Sequence, residues 1–197
     1  MAQNPYSLSF TTGTLMLTES VLLTELYIEL GSWQRVREKV KQNNLLQGKT
    51  MKSTMTLMSE IISRLRFLSD EQLRRLTQAP EKDQKYILWL ALCRRYQYIA
   101  DFTVEVMGAA VRTPDKTVTR PDYQAFFDQK AVFYPRLQNL AESTQKTVAN
   151  FIFRMAMQAG IMDGDGRLLP VIVLPENRLL FTELNNLERQ YFPGLGI

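Results

Sequence analysis

The amino-acid sequence predicts an all-α fold: a globular arrangement of many helices around a long central helix, with a small C-terminal hairpin as one alternative near its end. Apolar residues recur at steps of three and four in several segments, which is the spacing of amphipathic helices. Residues 86–93, YILWLALC, are uncharged and apolar almost throughout, as expected of a helix enclosed by others. With 197 residues, 45% of them hydrophobic, the chain is long enough to bury a full core.

Cap residues and apolar spacing predict the first two helices. Thr12 and Thr14 offer N-caps for the first helix, and its leucines recur at helical spacing until Gly31, which is typical of a left-handed C-cap. Ser32 then caps a short second helix that ends at residues 43–44, Asn-Asn. The apolar side of this second helix carries Trp33, Val36 and Val40.

The third and fourth helices each begin at a hydroxyl side chain. Thr50 caps the third helix, and Ser69 with Gln72 has the spacing of a capping box for a short fourth helix that ends before Pro80. In the third helix an apolar stripe follows steps of four, three, four and three: Met51, Met55, Met58, Ile62 and Leu65. The matching polar stripe consists of Lys52, Thr56, Ser59, Ser63 and Arg66.

The longest predicted helix is the central one, which spans about residues 81–111. Cys93 lies inside its apolar part and is expected to be a small core residue. Residues 113–121, TPDKTVTRP, have the proline and threonine content of an exposed connection. We therefore divide the chain into an N-terminal region, 1–112, and a C-terminal region, 113–197, which are expected to form one compact unit.

The C-terminal region is predicted to contain three more helices and an extended tail. Residues 121–129 form a sixth helix with a proline in its first turn, and Pro135 opens a short seventh. An eighth, amphipathic helix starts at a Ser143 cap and ends at Gly160. Residues 164–175, GDGRLLPVIVLP, are compatible with a wing-like hairpin, and equally with a buried extended segment ahead of a final helix near 176–191.

The composition argues against catalysis and against a metal site. Histidine, the usual general base and the commonest metal ligand, is absent. The sequence has no glycine-rich phosphate loop, no cysteine pair and no conspicuous carboxylate pair. Asp163 and Asp165 begin a segment like a calcium loop, but Arg167 and Leu169 occupy the next ligand positions, so we interpret it as a turn. We therefore predict a protein that is not an enzyme and uses no metal or cofactor.

The cysteine count and the hydropathy predict a cytoplasmic protein without a membrane partner. A single cysteine excludes an internal disulfide and favours a reducing compartment. The longest strongly apolar runs fall far below the ~20 residues that a membrane-spanning helix needs. The N-terminus also lacks the basic residues and apolar segment of a signal peptide.

Positive charge is concentrated in one segment of the chain. Residues 33–80 contain ten basic and four acidic residues, a surplus of +6, whereas the net charge of the whole chain is +4. Such a segment either binds a polyanion or solvates one face of the fold. On charge alone the solvated face is the favoured interpretation.

Two places share the plan of a short helix, a turn and a helix with a polar start. In a helix-turn-helix unit the start of the second helix approaches base edges while basic residues contact phosphates, although ordinary capped surface helices show the same plan. On the helix-turn-helix interpretation, the DNA-contacting residues of the first unit are Arg35, Lys49, Thr50, Lys52, Ser53 and Thr56. Thr54 belongs to the same polar helix start. Those of the second unit are Ser143, Thr144, Gln145, Lys146, Asn150 and Arg154.

Longer blocks of the sequence resemble the BrxA family. They are SFTTGTLMLTESVLLTELYIELGSW, NNLLQGKTMKS, WLALCRRYQYIADFTVEV and FFDQKAVFYPRLQNLAESTQKTVANFIFRMAMQAGI, and together they cover roughly residues 6–161. The resemblance implies an all-helical, cytoplasmic, non-enzymatic component of the BREX phage-defence system. It further implies two helix-turn-helix units that bind double-stranded DNA, and other BREX components as partners. The family has also been described as an inner-membrane one, which the hydropathy of this chain contradicts.

These observations together predict a double-stranded-DNA-binding accessory protein of a BREX-type phage-defence system. Phosphate contacts would come from the basic segment, and the two polar helix starts would enter the grooves. Two alternatives stay open: a protein–protein adaptor that helps to assemble the defence complex, and an RNA-binding helical protein. DNA binding that disappears at moderate salt and is unaffected by changes at Lys52 or Lys146 would favour the adaptor. Direct competition between duplex DNA and RNA separates DNA binding from RNA binding.

Overall fold

Helices make up most of the chain in the computed structural model, which describes Tyr6, Leu8, Phe10 and residues 13–175 and 177–195. The β-bridges within this described part are isolated and form no sheet, which confirms the all-α class. The first four helices are α1 Leu17–Leu30, α2 Trp33–Asn43, α3 Met51–Leu65 and α4 Asp70–Gln78.

The predicted caps of α3 and α4 are confirmed, whereas that of α1 is wrong. The Thr50 side chain accepts a hydrogen bond from the Ser53 amide, and Ser69 accepts one from the Gln72 amide, so both capping boxes are present. Helix α1 begins after Met16, in a left-handed conformation, without a side-chain cap, and Thr14 precedes this point. Thr12 lies outside the described residues. Ser32 occupies the N-cap position of α2 without a side-chain cap bond, and Gly31 has the predicted left-handed backbone.

The predicted helix over residues 81–111 is wrong in its length, because the backbone breaks at Tyr96. There the backbone is extended, with φ of −121° and ψ of 95°. The buried Tyr96 hydroxyl donates a 2.6 Å hydrogen bond to Glu60 Oε1 in α3. The pieces are α5 Glu81–Arg95, α6 Gln97–Phe102, a π-helical segment Thr103–Met107 and α7 Gly108–Ala110.

The remaining helices are α8 Arg120–Phe133, α9 Pro135–Gln138, α10 Glu142–Gln158, α11 Arg178–Thr182 and α12 Asn186–Arg189. Helix α8 begins beside the predicted Pro121 but runs four residues past Gln129. The N-cap of α10 is Ala141, so the predicted Ser143 cap is wrong, although Gly160 follows the helix in a left-handed conformation. The final helix expected near 176–191 is replaced by α11 and α12, and Glu176 lies outside the described residues.

The segment with Asp163 and Asp165 forms a tight turn, as predicted. Asp163 Oδ1 accepts hydrogen bonds from the amides of Asp165 and Arg167, at 3.0 and 2.9 Å. Antiparallel bridges join Met162 to Leu168 and Thr117 to Arg167. Gly166 has φ of +83°, and a Cβ there would overlap the Val118 carbonyl. The turn therefore has hairpin-like pairing without a regular strand.

The core is built around α5, which contacts α1, α3, α4 and α10. Trp89 is fully buried at its centre, and Nε1 donates a 2.8 Å hydrogen bond to the Tyr191 carbonyl. Arg94 forms a 2.7 Å ion pair with Glu188 in α12. These contacts cross the boundary predicted at residues 112 and 113.

A segment before α1, here called the N-terminal strap, packs across several helices. It comprises the described residues Tyr6, Leu8, Phe10 and 13–16. Tyr6 packs edge-on against Tyr98 and Tyr134, and Phe10 packs against Tyr96 and Phe151. A Cβ at Gly13 would overlap the Phe151 ring, so the strap lies directly against α10.

Candidate nucleic-acid interface

The outer side of α3 presents hydroxyl groups between basic side chains. Lys52, Thr56, Ser59 and Arg66 are exposed and Ser63 is half-buried, which confirms the predicted polar stripe. Spacings of three and four residues place them along one side of the helix. Together with Arg37 and Arg95, described next, these residues are called the α3 basic face.

Helix α2 contributes Arg37 to this face. Its Nη1 donates a 2.9 Å hydrogen bond to Ser59 Oγ. Partial burial and the nearby charge of Arg66 lower the pKa of the Arg37 guanidinium from its usual value. Two like charges therefore lie close together here.

The end of α5 contributes Arg95 to this face. Its guanidinium carbon lies 4.9 Å from the centroid of the Tyr96 ring, and Nε lies 3.5 Å from Ser63 Oγ. Arg95 and part of α3 line an open depression of about 490 Å³, whose other lining residues are Lys52, Met55, Thr56, Ser59, Glu60 and Ser63.

The Glu60 carboxylate beneath this depression is neutralised from inside the protein. Glu60 is 7% exposed, and its Oε1 accepts hydrogen bonds from Arg64 Nε at 2.8 Å and from the Tyr96 hydroxyl at 2.6 Å. Arg64 Nη1 also donates to the Thr14 carbonyl at 2.9 Å. Because Arg64 balances the Glu60 charge inside the protein, the cations of the α3 basic face remain available to an external partner.

Most residues predicted for the first unit are exposed at the start of α3. Lys49, Thr50, Lys52, Ser53 and Thr56 reach solvent, and the Thr50 and Ser53 side chains form the helix cap. Thr54, placed in the same polar turn, is buried and donates to the Thr50 carbonyl, so that expectation is wrong.

Arg35 is exposed on α2, but it does not share the side of that helix that faces α3. Residues two positions apart on a helix point about 200° from each other, and Arg37 is the one that reaches Ser59. Neither Arg37 nor Arg95 was among the residues named as DNA contacts. Arg37 lies in the basic segment, and Arg95 stands with Arg94 directly after the apolar run of residues 86–93, so both had a usable signal in the sequence.

The residues predicted for the second unit lie along α10. Ser143, Thr144, Lys146, Asn150 and Arg154 are exposed. Gln145 is half-buried, and its Nε2 donates to the Leu140 carbonyl at 2.9 Å, where it braces the preceding turn. Lys146 forms a 2.6 Å ion pair with Glu142, and this hydrogen bond and charge lower the pKa of Glu142. The start of α10 is therefore less cationic than the α3 basic face.

The N-terminal strap joins the C-terminal parts of α3 and α10. Arg64 near the end of α3 binds the Thr14 carbonyl, and the Leu15 amide donates to Gln158 Oε1 at the end of α10, at 2.7 Å. This leaves the polar starts of both helices accessible. In the first unit, residues 44–50 connect α2 to α3, and this connection is longer than the turn of three or four residues in a typical helix-turn-helix. In the second unit, the helix that precedes α10 is α9, which is one turn long. The helix-turn-helix assignment therefore stays a prediction.

The described part of the chain has neither a candidate metal cluster nor a membrane-spanning helix. No group of three or more aspartate, glutamate or cysteine side chains there is placed to hold a metal ion. None of the helices in the same residues combines the length and the apolar character that crossing a bilayer requires.

Comparison with known proteins supplies the family. The model of the BrxA family matches residues 4–185. The chain belongs to the BrxA family. The resemblance found in the sequence is thus confirmed. A relative from Escherichia coli O9:H4 (strain HS), named BREX protein BrxA, is 23% identical over 174 residues, which cover 87% of this BrxA-family chain and 82% of the relative.

A solved structure shares the fold of this BrxA-family chain. The crystal structure of an uncharacterized protein from Magnetospirillum magneticum matches it with a TM-score of 0.79 at 20% sequence identity. The match covers 94% of this chain and 95% of the other. At this identity the likeness shows a common fold.

Proposed function

We propose that this protein is a non-catalytic, double-stranded-DNA-binding component of a BREX phage-defence system, in the cytoplasm with other BREX components as partners. The BREX role is supported by membership of the BrxA family and by the relative named BREX protein BrxA. The observation that supports DNA binding is the α3 basic face.

The cations of this face have no carboxylate partner, a property shared by twelve of the other twenty basic side chains in the described residues. Within the described residues, Arg37, Lys52, Arg66 and Arg95 have no carboxylate within 4.0 Å. Eight basic side chains elsewhere do have one: Lys39, Arg64, Arg74, Arg75, Lys85, Arg94, Lys130 and Lys146. Four unpaired cations beside a row of hydroxyl donors suit the phosphate oxygens of a nucleic-acid backbone.

The shape of the face favours duplex DNA over RNA. Helix α3 has 15 residues, so its exposed side is about 22 Å long. The major groove of B-form DNA is about 12 Å wide and admits an α-helix. The major groove of A-form RNA is too deep and narrow for side chains to read. Groove insertion by α3, with flanking arginines on phosphates, is therefore proposed for DNA.

Charge reversal on and off the face tests this proposal. We expect Lys52→Glu and Arg66→Glu each to weaken binding to a labelled duplex by about tenfold, or about 1.4 kcal/mol, in fluorescence anisotropy at low salt. Arg178→Glu is the matched control, because Arg178 is exposed on α11 and the substitution changes the net charge equally. Equal losses in all three variants, or no binding by the unmodified protein, would contradict the proposal. A duplex RNA competitor that displaces DNA at equal concentration would contradict the choice of DNA.

An adaptor function is the second candidate, because α8 ends in an exposed apolar pair. Val132 and Phe133 are 70% and 73% exposed, and exposed aromatic residues often anchor protein contacts. If the adaptor role holds, Phe133→Ser should abolish co-purification with other BREX components while leaving DNA affinity unchanged. Unchanged co-purification would remove the support for this candidate.

A further inference from the structure

We infer that Tyr96 is a positioning residue for the α3 basic face, because its buried ring holds the Arg95 guanidinium where it can contact a phosphate. The inference rests on the proposed DNA binding and assigns a specific residue to that site. It concerns a residue on the core helix, outside both predicted helix-turn-helix units.

Arg95 is half-buried, whereas the adjacent Tyr96 is fully enclosed. Tyr96 is buried, and its extended conformation ends α5 directly after Arg95. Its ring packs edge-on against Phe10 of the N-terminal strap, with 5.3 Å between centroids. Its hydroxyl is held by Glu60 at 2.6 Å. The Tyr96 side chain is thus held both at its ring and at its hydroxyl in the absence of a ligand.

Arg95 depends on this ring more than on its hydrogen bond. The 3.5 Å separation between Arg95 Nε and Ser63 Oγ is long for a hydrogen bond. The guanidinium carbon, at 4.9 Å from the Tyr96 centroid, is within cation–π distance. A guanidinium packed on an aromatic face still presents N–H donors along its edge, which suits bidentate contact with a phosphate.

Salt dependence of DNA binding distinguishes positioning from a purely structural role. Each phosphate contact contributes about 0.9 to the slope of log K against log salt concentration. Arg95→Gln is expected to reduce the magnitude of the slope by about 0.9. Tyr96→Leu is expected to reduce it by a similar amount, because without the aromatic ring the Arg95 side chain is no longer held in position to contact a phosphate. Tyr96→Phe keeps the ring and is expected to keep the slope. The double variant Tyr96→Leu with Arg95→Gln should be no worse than Arg95→Gln alone.

The results of this experiment distinguish a failure of the Tyr96 inference from a failure of the proposed DNA binding. If the unmodified protein binds DNA and Tyr96→Leu keeps the full slope while Arg95→Gln loses it, the inference is overturned and the proposed function stands. If the unmodified protein binds no duplex, both fail. If Tyr96→Leu does not fold, Arg95→Lys decides, because lysine keeps the charge but lacks the planar group. A loss of about threefold or more in affinity supports the inference, and equal affinity overturns it.

Discussion

Replacing Glu60 by alanine is expected to destabilise the protein strongly, although Glu60 lies next to an exposed helix face. Glu60 and Arg64 are 7% and 3% exposed and form an ion pair of 2.8 Å. The same carboxylate oxygen accepts the hydrogen bond of the Tyr96 hydroxyl. The substitution therefore removes the Glu60 carboxylate from the buried ion pair with Arg64 and takes away the acceptor of the buried Tyr96 hydroxyl.

The size of the effect follows from these two losses. Removal of one partner of a buried ion pair costs about 3–5 kcal/mol, and an unsatisfied buried hydroxyl costs about 1–3 kcal/mol. Since the neighbouring structure relaxes, we expect a decrease of about 4 kcal/mol in the free energy of unfolding. For a chain of this size that corresponds to a fall of about 8–16 °C in Tm.

Urea and thermal denaturation followed by far-ultraviolet circular dichroism measure this change. Glu71→Ala is the control, because Glu71 pairs with Arg74 and Arg75 at the surface, where an ion pair contributes about 0–1 kcal/mol. The pair of substitutions Glu60→Leu and Arg64→Met should recover most of the stability. A Glu60→Ala variant no less stable than Glu71→Ala would refute the reasoning.

Three further predictions follow from burial and charge. Burial raises the pKa of the Cys93 thiol, so a thiol reagent should label the protein only after unfolding, and labelling of the native protein at neutral pH would contradict this. Burial raises the pKa of Tyr123 and Tyr191 to about 12; because tyrosines of the unfolded chain ionise near pH 10, the free energy of unfolding should fall between about pH 10 and 12. Denaturation at stepped pH tests this, and constant stability there would count against it. Glu142→Gln releases Lys146 from its ion pair, so duplex affinity should rise about threefold in anisotropy if α10 contacts DNA; unchanged affinity would place α10 outside the interface.

The parts of the fold that depend on neighbouring residues could be predicted from the sequence. Thr50 and Ser69 bond to amides three residues away, so their capping boxes depend only on local spacing. The polar stripe of α3 follows from helical periodicity in the same way. Family membership could also be recognised, because long blocks of sequence carry it.

The break at Tyr96 could not be predicted, because its partners lie far away along the chain. Its hydroxyl binds Glu60, 36 residues earlier, and its ring contacts Phe10 in the N-terminal strap. Local propensity favours an uninterrupted helix through this region, and tertiary contacts override it. Arg95 is the last residue of α5 and follows the apolar run together with Arg94, so the sequence indicated a basic charge at this position but not its proximity to α3.

The N-cap of α10 is a second feature that the sequence did not predict correctly. Ser143 is a good N-cap residue, yet the helix begins after Ala141. Gln145 binds the Leu140 carbonyl and braces the preceding turn, while Ser143 lies exposed within the first turn. The first turn of α10 is thus joined to the preceding loop by the Gln145 side chain, and its N-cap position has no hydroxyl cap.

The salt dependence of DNA binding by the unmodified protein, beside a variant with Arg37, Lys52, Arg66 and Arg95 all changed to glutamine, tests the proposed α3 interface most directly. If each of the four cations contacts one phosphate, the two slopes of log K against log salt concentration should differ by about 3.6. Circular dichroism of both proteins verifies that the helices are retained. Equal slopes would contradict DNA binding through α3.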